Sequence, residues 1–218
     1  MNYKNLIRRI ITYTVGLFIL AIGVVFTINA DLGVSPVQSL PYVLSNATDQ
    51  ISIGLFTTIL MAVFILLQVA ILRRQFKLYN LTQLLFSFIF GFFVDFAVII
   101  VGDFVLPTYF GQMAMLLVGI GLISVGVVLF IGAKLVPLPT EGFCLAVTQI
   151  IKTGIFSKFH IVKITMDSGL VIIALACSFL LLDGLHGIRE GTVIAAAGIG
   201  ITIPSIRKLL SPILRGIK

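Results

Sequence analysis

The sequence predicts an all-α polytopic membrane protein. It has six transmembrane helices arranged as two inverted-topology three-helix repeats, each with a short Pro-initiated interfacial or re-entrant helix. Three observations predict it: an apolar composition, alternating loop charge and an internal repeat. Of 218 residues, 59% are hydrophobic and 11% charged, more apolar surface than a soluble domain of this size can hide. Basic residues (Lys4, Arg8, Arg9; Arg73, Arg74, Lys77; Lys134, Lys152, Lys158; Arg207, Lys208, Arg215, Lys218) occupy the termini and every second loop. The other loops carry Asp31, Asp49, Asp103, Asp183 and Glu190, with Arg189 their one basic residue. The positive-inside rule then puts both termini in the cytoplasm. Finally, Gly16, Gly23, Ala30, Leu32, Pro36 and Gln38 recur as Gly119, Gly126, Ala133, Leu135, Pro139 and Glu141, at a constant shift of 103 positions. A repeat holding an odd number of spans is inverted relative to its copy, the usual architecture of secondary transporters.

The spans follow in order at roughly 11–30, 53–72, 81–101, 113–133, 161–182 and 191–206. Each is near the ~20 residues that cross the hydrocarbon core, and none alternates as a barrel strand does. The first run is longer than a signal-peptide core and belongs to the repeat, so it reads as a retained helix. Residues 1–106 form the first three-span repeat and 107–218 the second, with the Pro107 stretch joining them.

Between spans 1 and 2 lies Leu32-Gly33-Val34-Ser35-Pro36-Val37-Gln38, and between spans 4 and 5 Leu135-Val136-Pro137-Leu138-Pro139-Thr140-Glu141. Both segments are too short to cross a bilayer. Proline suits the first helical turn, so Pro36 and Pro139 each start a short helix whose N-terminus carries partial positive charge. Whether residues 33–46 and 137–150 re-enter the protein or lie at the interface stays open. Later in each repeat, Ile51-Ser52-Ile53-Gly54 is similar to Ile155-Phe156-Ser157-Lys158. Leu81-Thr82 is similar to Gly191-Thr192, where the shift has grown to 110.

Ionisable residues inside the membrane mark candidate sites. His160, Lys163 and Asp167 share one face of span 5, with Asp167 placed to pair with Lys163. Glu141 sits in the first turn after Pro139, where the helix dipole favours its charged form, and it is the counterpart of the neutral Gln38. Substrate binding or proton coupling is therefore assigned to Gln38, Glu141, Lys163, Asp167 and His160, and the helix-start motif to Gly33, Ser35, Pro36, Pro139 and Thr140. Asp95 is a weaker candidate near the outer end of span 3. Asp31 and Lys134 mark membrane surfaces. Gly16, Gly23, Gly119 and Gly126, with Gly191, Ala195, Ala196 and Gly200, give smooth faces for close helix packing. Cys144 and Cys177 have no metal-like spacing. No catalytic pair, metal site or cofactor motif is visible, so no enzyme, cofactor or metal is expected.

The pattern of Gly23, Leu32-Gly33-Val34-Ser35-Pro36, Leu40, Ile51-Ser52-Ile53-Gly54, Leu81-Thr82 and Gly91 resembles the YczE/YyaS/YitT group of bacterial membrane proteins, most closely the YczE branch. The likeness covers nearly the whole chain; the second copy departs from it with Val136 where the first has Gly33. The soluble C-terminal domain of the YitT branch is not expected here. The resemblance implies a small protein of the bacterial plasma membrane and no particular activity. The sequence points first to a small secondary transporter for a polar or charged solute, with its site at the repeat interface. The alternatives are a non-transporting subunit or substrate-binding partner of another transport complex, and a lipid-handling protein. Expected partners are the bilayer, a small-molecule solute and either a second copy or a partner membrane subunit, but not nucleic acid.

Overall fold

The computed structural model describes residues 3–48 and 50–215. Asp49 and Lys218, two of the topology charges, lie outside the described residues, as do the side chains of Lys4 and Arg215. The helices are α1 (Tyr3–Asn29), α2 (Pro36–Asn46), α3 (Ile53–Leu72), α4 (Thr82–Val101), α5 (Tyr109–Gly132), α6 (Pro139–Ile150), α7 (Phe159–Leu182), α8 (Glu190–Leu209) and α9 (Ser211–Arg215). No strand occurs among the described residues. Among the described residues, six helices (α1, α3, α4, α5, α7 and α8) are long and apolar enough to cross a membrane, and the chain is a multi-pass all-α membrane protein. The start of the first span differs most from expectation. Helix α1 begins at Tyr3, well before the apolar run, because Arg8 and Arg9 are good helix formers and cost nothing at an exposed helix end.

The helix ends have local causes. The Ser52 hydroxyl accepts from the Leu55 N–H at 3.1 Å, and the Thr108 hydroxyl from the Gly111 N–H at 3.2 Å, each satisfying an otherwise orphaned donor. Among the described residues, four non-glycine residues take positive φ: Asp31, Arg73, Lys134 and Asp183, at 53°, 46°, 52° and 51°. They follow α1, α3, α5 and α7, where leaving the right-handed helical region stops the helical ladder; Asp183 does so in the left-handed conformation common at helix ends.

The chain forms two compact units, each built from segments of both sequence halves. The first comprises residues 1–35, 93–135 and 186–218. Its axis is the pair α1–α5. A Cβ on Gly126 would lie 2.6 Å from the Gly16 carbonyl oxygen, and one on Gly23 2.6 Å from the Ile123 nitrogen. Gly16 thus faces Gly126 while Gly23 faces Gly119, so the two helices run antiparallel in backbone contact. Tyr13 and Phe130 extend the seam edge to face at 5.9 Å. Helix α8 packs on α5 through Ala195, Ile120 and Leu116, and the hydroxyls of Ser124 and Thr202 meet at 2.6 Å. The segment after α1 is stitched to the start of α8. The Gly191 N–H donates to the Leu32 carbonyl at 2.7 Å, and the Val34 N–H to that of Gly187 at 2.9 Å. Gly33 has φ +112°, and a Cβ there would strike the Thr192 hydroxyl at 2.6 Å; only glycine fits without strain.

The second unit comprises residues 36–92 and 136–185. Helix α2 packs on α7 and α3, and α6 on α3 and α7. Their shared core is Phe64, Cys144, Val162, Met166 and Leu170, flanked by Val37, Leu40, Leu60, Phe143 and Val147. Both short helices bury one face: Pro36, Gln38, Ser39, Pro41 and Val43 of α2, and Pro139, Thr140, Gly142, Cys144 and Ala146 of α6.

Candidate functional site

The polar side chains of the second unit gather where α6 begins. Pro139 occupies the first turn of α6, and the preceding Leu138 supplies no side-chain cap. The N–H groups of that turn therefore add their partial positive charge to the local field. Glu141 stands in this turn and accepts a hydrogen bond from the Thr140 hydroxyl at 2.9 Å. The adjacent α7 carries Lys163, whose ammonium donates to Asp167 at 2.7 Å one turn deeper. Both side chains are only about a quarter exposed, at 25% and 22%. Helix α6, which carries Glu141, packs on α7, so a second carboxylate belongs to the same helix pair as this ion pair. The Cys144 thiol and Met166 sulfur meet 3.8 Å apart on the same two helices.

An amide pair lies on the other side of the α6 start. Gln68 of α3 donates to the Gln83 carbonyl at 3.0 Å and to the Pro139 carbonyl at 3.1 Å, while Gln83 of α4 donates back to Gln68 at 3.4 Å. A Cβ at Gly142 would lie 2.8 Å from the Gln68 carbonyl oxygen, so the missing side chain is what lets α6 rest on the pair. Both glutamines are almost wholly buried. Inside an apolar unit, each amide satisfies the other and together they hold the α6 entry.

The residues singled out in the sequence separate into groups. Lys163 and Asp167 pair directly, and Glu141 stands on α6, the helix packed beside them. Gln38 is buried on α2 and accepts from the Thr57 hydroxyl of α3 at 3.0 Å. His160 is exposed in the first turn of α7, so the polar stripe of that helix stops at Lys163. Gly33 and Ser35 belong to the first unit, where Gly33 serves the close approach to α8. Pro36 and Pro139 begin α2 and α6, and Thr140 orients Glu141. Asp95 is half-buried on the part of α4 in the first unit. Thr82 and Thr192 differ in role. Thr82 donates to the Tyr79 carbonyl, whereas Thr192 is buried with an unpartnered hydroxyl. Sequence reasoning passed over Thr57, Gln68 and Gln83. The signal was present in Gln68, a lone amide in an otherwise apolar stretch of span.

Among the described residues, no three His, Cys, Asp or Glu side chains cluster as a metal site requires. Chemically, the two packed helices α6 and α7 offer one ammonium, two carboxylates and a helix N-terminus, groups able to exchange internal pairing for contacts with a charged solute. No curated protein and no solved structure matches the chain. Residues 7–208 match the family of unknown function DUF6198, and the chain belongs to that family.

Proposed function

We propose that the chain is a small secondary transporter made of two inverted three-span repeats, residues 1–106 and 107–218. In this reading it lies in the bacterial plasma membrane, both termini are cytoplasmic, and α2 and α6 are re-entrant half-helices. Several features support the repeat. The ends of α1 and α5, the starts of α2 and α6, and the left-handed residues Asp31 and Lys134 share the 103-residue shift. The ends of α3 and α7, with Arg73 and Asp183, share the shift of 110. The glycine contacts are reciprocal, Gly16 with Gly126 and Gly23 with Gly119, as a two-fold relation between copies requires. The resemblance to the YczE branch is compatible with the same location.

The observation that carries the reading is a pair of corresponding polar links. Gln38 joins α2 to Thr57 of α3. At the same shifts stand Glu141 of α6 and Asp167 of α7, here with Lys163 beside them. One copy offers neutral hydrogen bonds and the other charge. A small zwitterionic or anionic solute can place a carboxylate on Lys163 and an amine on Glu141, replacing the internal pair. Either carboxylate can carry the coupled proton.

The test is a thermal-shift panel of amino acids, nucleobases, vitamins and organic anions on detergent-purified protein, followed by uptake in proteoliposomes. A ligand at ~100 times its Kd stabilises by ~2.7 kcal/mol. A hit that Glu141→Gln or Asp167→Asn abolishes, with uptake lost in parallel, supports the reading. Full uptake in both variants would remove the charged group from the mechanism, and a blank panel would favour a non-transporting subunit.

A further inference from the structure

A second feature lies wholly in the first unit and is independent of the transporter reading. A cavity of about 640 Å³ opens between α5, α8 and α9, lined by Val127, Val128, Ile131, Ile203 and Leu214 together with Arg9, Lys134, Arg207 and Ser211; along α5 and α8 the cations come about one turn after the apolar residues. Its volume is within the ~300–1,000 Å³ of small-ligand sites. The cations have unequal duties. Arg9 donates through Nε to the Ala133 carbonyl at 2.7 Å and through Nη2 to that of Lys134, so it closes the C-terminus of α5 and neutralises its dipole. Lys134 and Arg207 are exposed, and neither has a carboxylate partner among the described ion pairs.

Among the described residues no acid lines the cavity, and the topology of the unit explains why. Because α1 and α5 run antiparallel, the start of α1 lies with the end of α5. The acids Asp31, Asp103 and Glu190 follow α1, precede α5 and begin α8, so they cluster at the opposite end. Asp95 is near that end too, since the Val101–Gly102 end of α4 is held by Asn29 of α1. The cavity thus pairs an uncompensated positive rim with an apolar wall along the helices, at the end that the positive-inside rule gives to the cytoplasm.

We infer that this cavity binds an anionic phospholipid, its phosphodiester held by Lys134 and Arg207 and one acyl chain laid along Val128, Ile131 and Ile203. The shared chemistry with a free phosphate ion is the anionic oxygen. The apolar wall favours the lipid, because a free ion would leave it empty. Basic pockets between helices on the cytoplasmic side suit such headgroups.

Retained lipid is measured by native mass spectrometry after exchange from phosphatidylglycerol or phosphatidylcholine nanodiscs, alongside thermal shifts with each lipid and with sodium phosphate. Wild-type protein should retain phosphatidylglycerol and be stabilised by it over phosphatidylcholine, with no shift from phosphate alone. The Lys134→Asn/Arg207→Gln variant should bind phosphatidylglycerol roughly 30-fold more weakly; asparagine is chosen because it tolerates the positive φ at this position. Ile203→Trp, which fills the apolar side without changing charge, should also lose retained lipid, and it carries the test if the double variant does not fold. The Arg8→Gln/Lys208→Gln variant removes two charges that do not line the cavity and should bind as wild type. Undiminished retention in the lining variants, an equal loss in the Arg8/Lys208 control, or stabilisation by phosphate ion alone would each overturn the assignment.

Discussion

Replacing Gly126 by alanine should loosen the α1–α5 seam, whereas the same change at Gly121, five residues earlier on the same helix, should not. A Cβ at Gly126 would lie 2.6 Å from both the Gly16 carbonyl oxygen and the Leu20 nitrogen. Ordinary contact needs at least ~3.4 Å, and both obstacles are backbone, so no rotamer change relieves the overlap. The seam must open by ~0.8 Å, a gap that already forfeits a quarter to a half of each dispersion contact. Overpacking of this kind costs ~1–3 kcal/mol. Backbone obstacles put it near the upper end, and the better helix propensity of alanine returns ~1 kcal/mol. The net loss of ~2 kcal/mol corresponds to a fall in Tm of about 4–8 °C for a chain of this size. At Gly121 nothing lies within 4 Å of the added methyl, so the propensity gain stands alone and Tm should hold or rise slightly. Thermal unfolding in detergent, followed by a thiol-reactive dye on the buried Cys144, separates the two. If Gly126→Ala and Gly121→Ala unfold within about 1 °C of each other, the close-contact argument is wrong. The Gly16→Ala/Gly126→Ala pair gives a second check. Having opened the seam once, the helices should lose less than the sum of the single changes.

Two further changes test the local structure. Gln68→Leu should destabilise more than Gln68→Leu/Gln83→Leu, because the single change leaves the Gln83 amide buried without its partner while the double change removes both polar groups; equal thermal shifts would refute the reciprocal pair. Gly33→Ala should destabilise by ~1–3 kcal/mol and lower Tm accordingly, since φ is +112° and the methyl meets the Thr192 hydroxyl. Gly33→Ala/Thr192→Ser should not rescue it, because Thr192→Ser removes only the threonine methyl and leaves both the hydroxyl and the backbone strain. Full recovery in that pair would refute the φ argument.

Much of this fold is legible in the sequence because the bilayer imposes it. An apolar run near 20 residues has few alternatives to a spanning helix, and proline at 36 and 139 sets helix starts by its own ring. The glycine seam is legible too, as seven-residue spacing on two helices. The cross-pairing of α2 with α7 and α6 with α3 is not. A repeat tells which segments correspond, and says nothing about which copy covers which. The same limit hides the Gln68–Gln83 pair, formed across a turn between two spans, and the contact of Arg9 with the α5 terminus, 124 positions away in sequence. The exposure of His160 escapes for another reason. Helical spacing places three side chains on one face, yet burial at a helix end depends on how far neighbouring elements extend.

The charge asymmetry between the proposed copies permits a sharper test of their equivalence. Gln38 is 3% exposed and accepts from Thr57. Neither α2 nor α3 carries a charged side chain. Gln38→Glu keeps the shape and the acceptor but places a carboxylate where its own two helices offer no cation, and an unpaired buried charge is strongly destabilising. At the shift of 110, the position that answers to Lys163 is Ile53, half-buried at the start of α3. Adding Ile53→Lys should therefore recover part of the stability lost in Gln38→Glu. The long lysine stem can cover the apolar surface that isoleucine covered while its ammonium reaches the new carboxylate. Alone, Ile53→Lys should be mildly destabilising. Thermal unfolding of the two single variants and the pair closes a double-mutant cycle, and a favourable coupling between them is the expected result. If the pair loses as much as the two changes summed, positions 38 and 53 do not stand to each other as 141 and 163 do, and the argument that one copy is a neutral version of the other fails at the site itself.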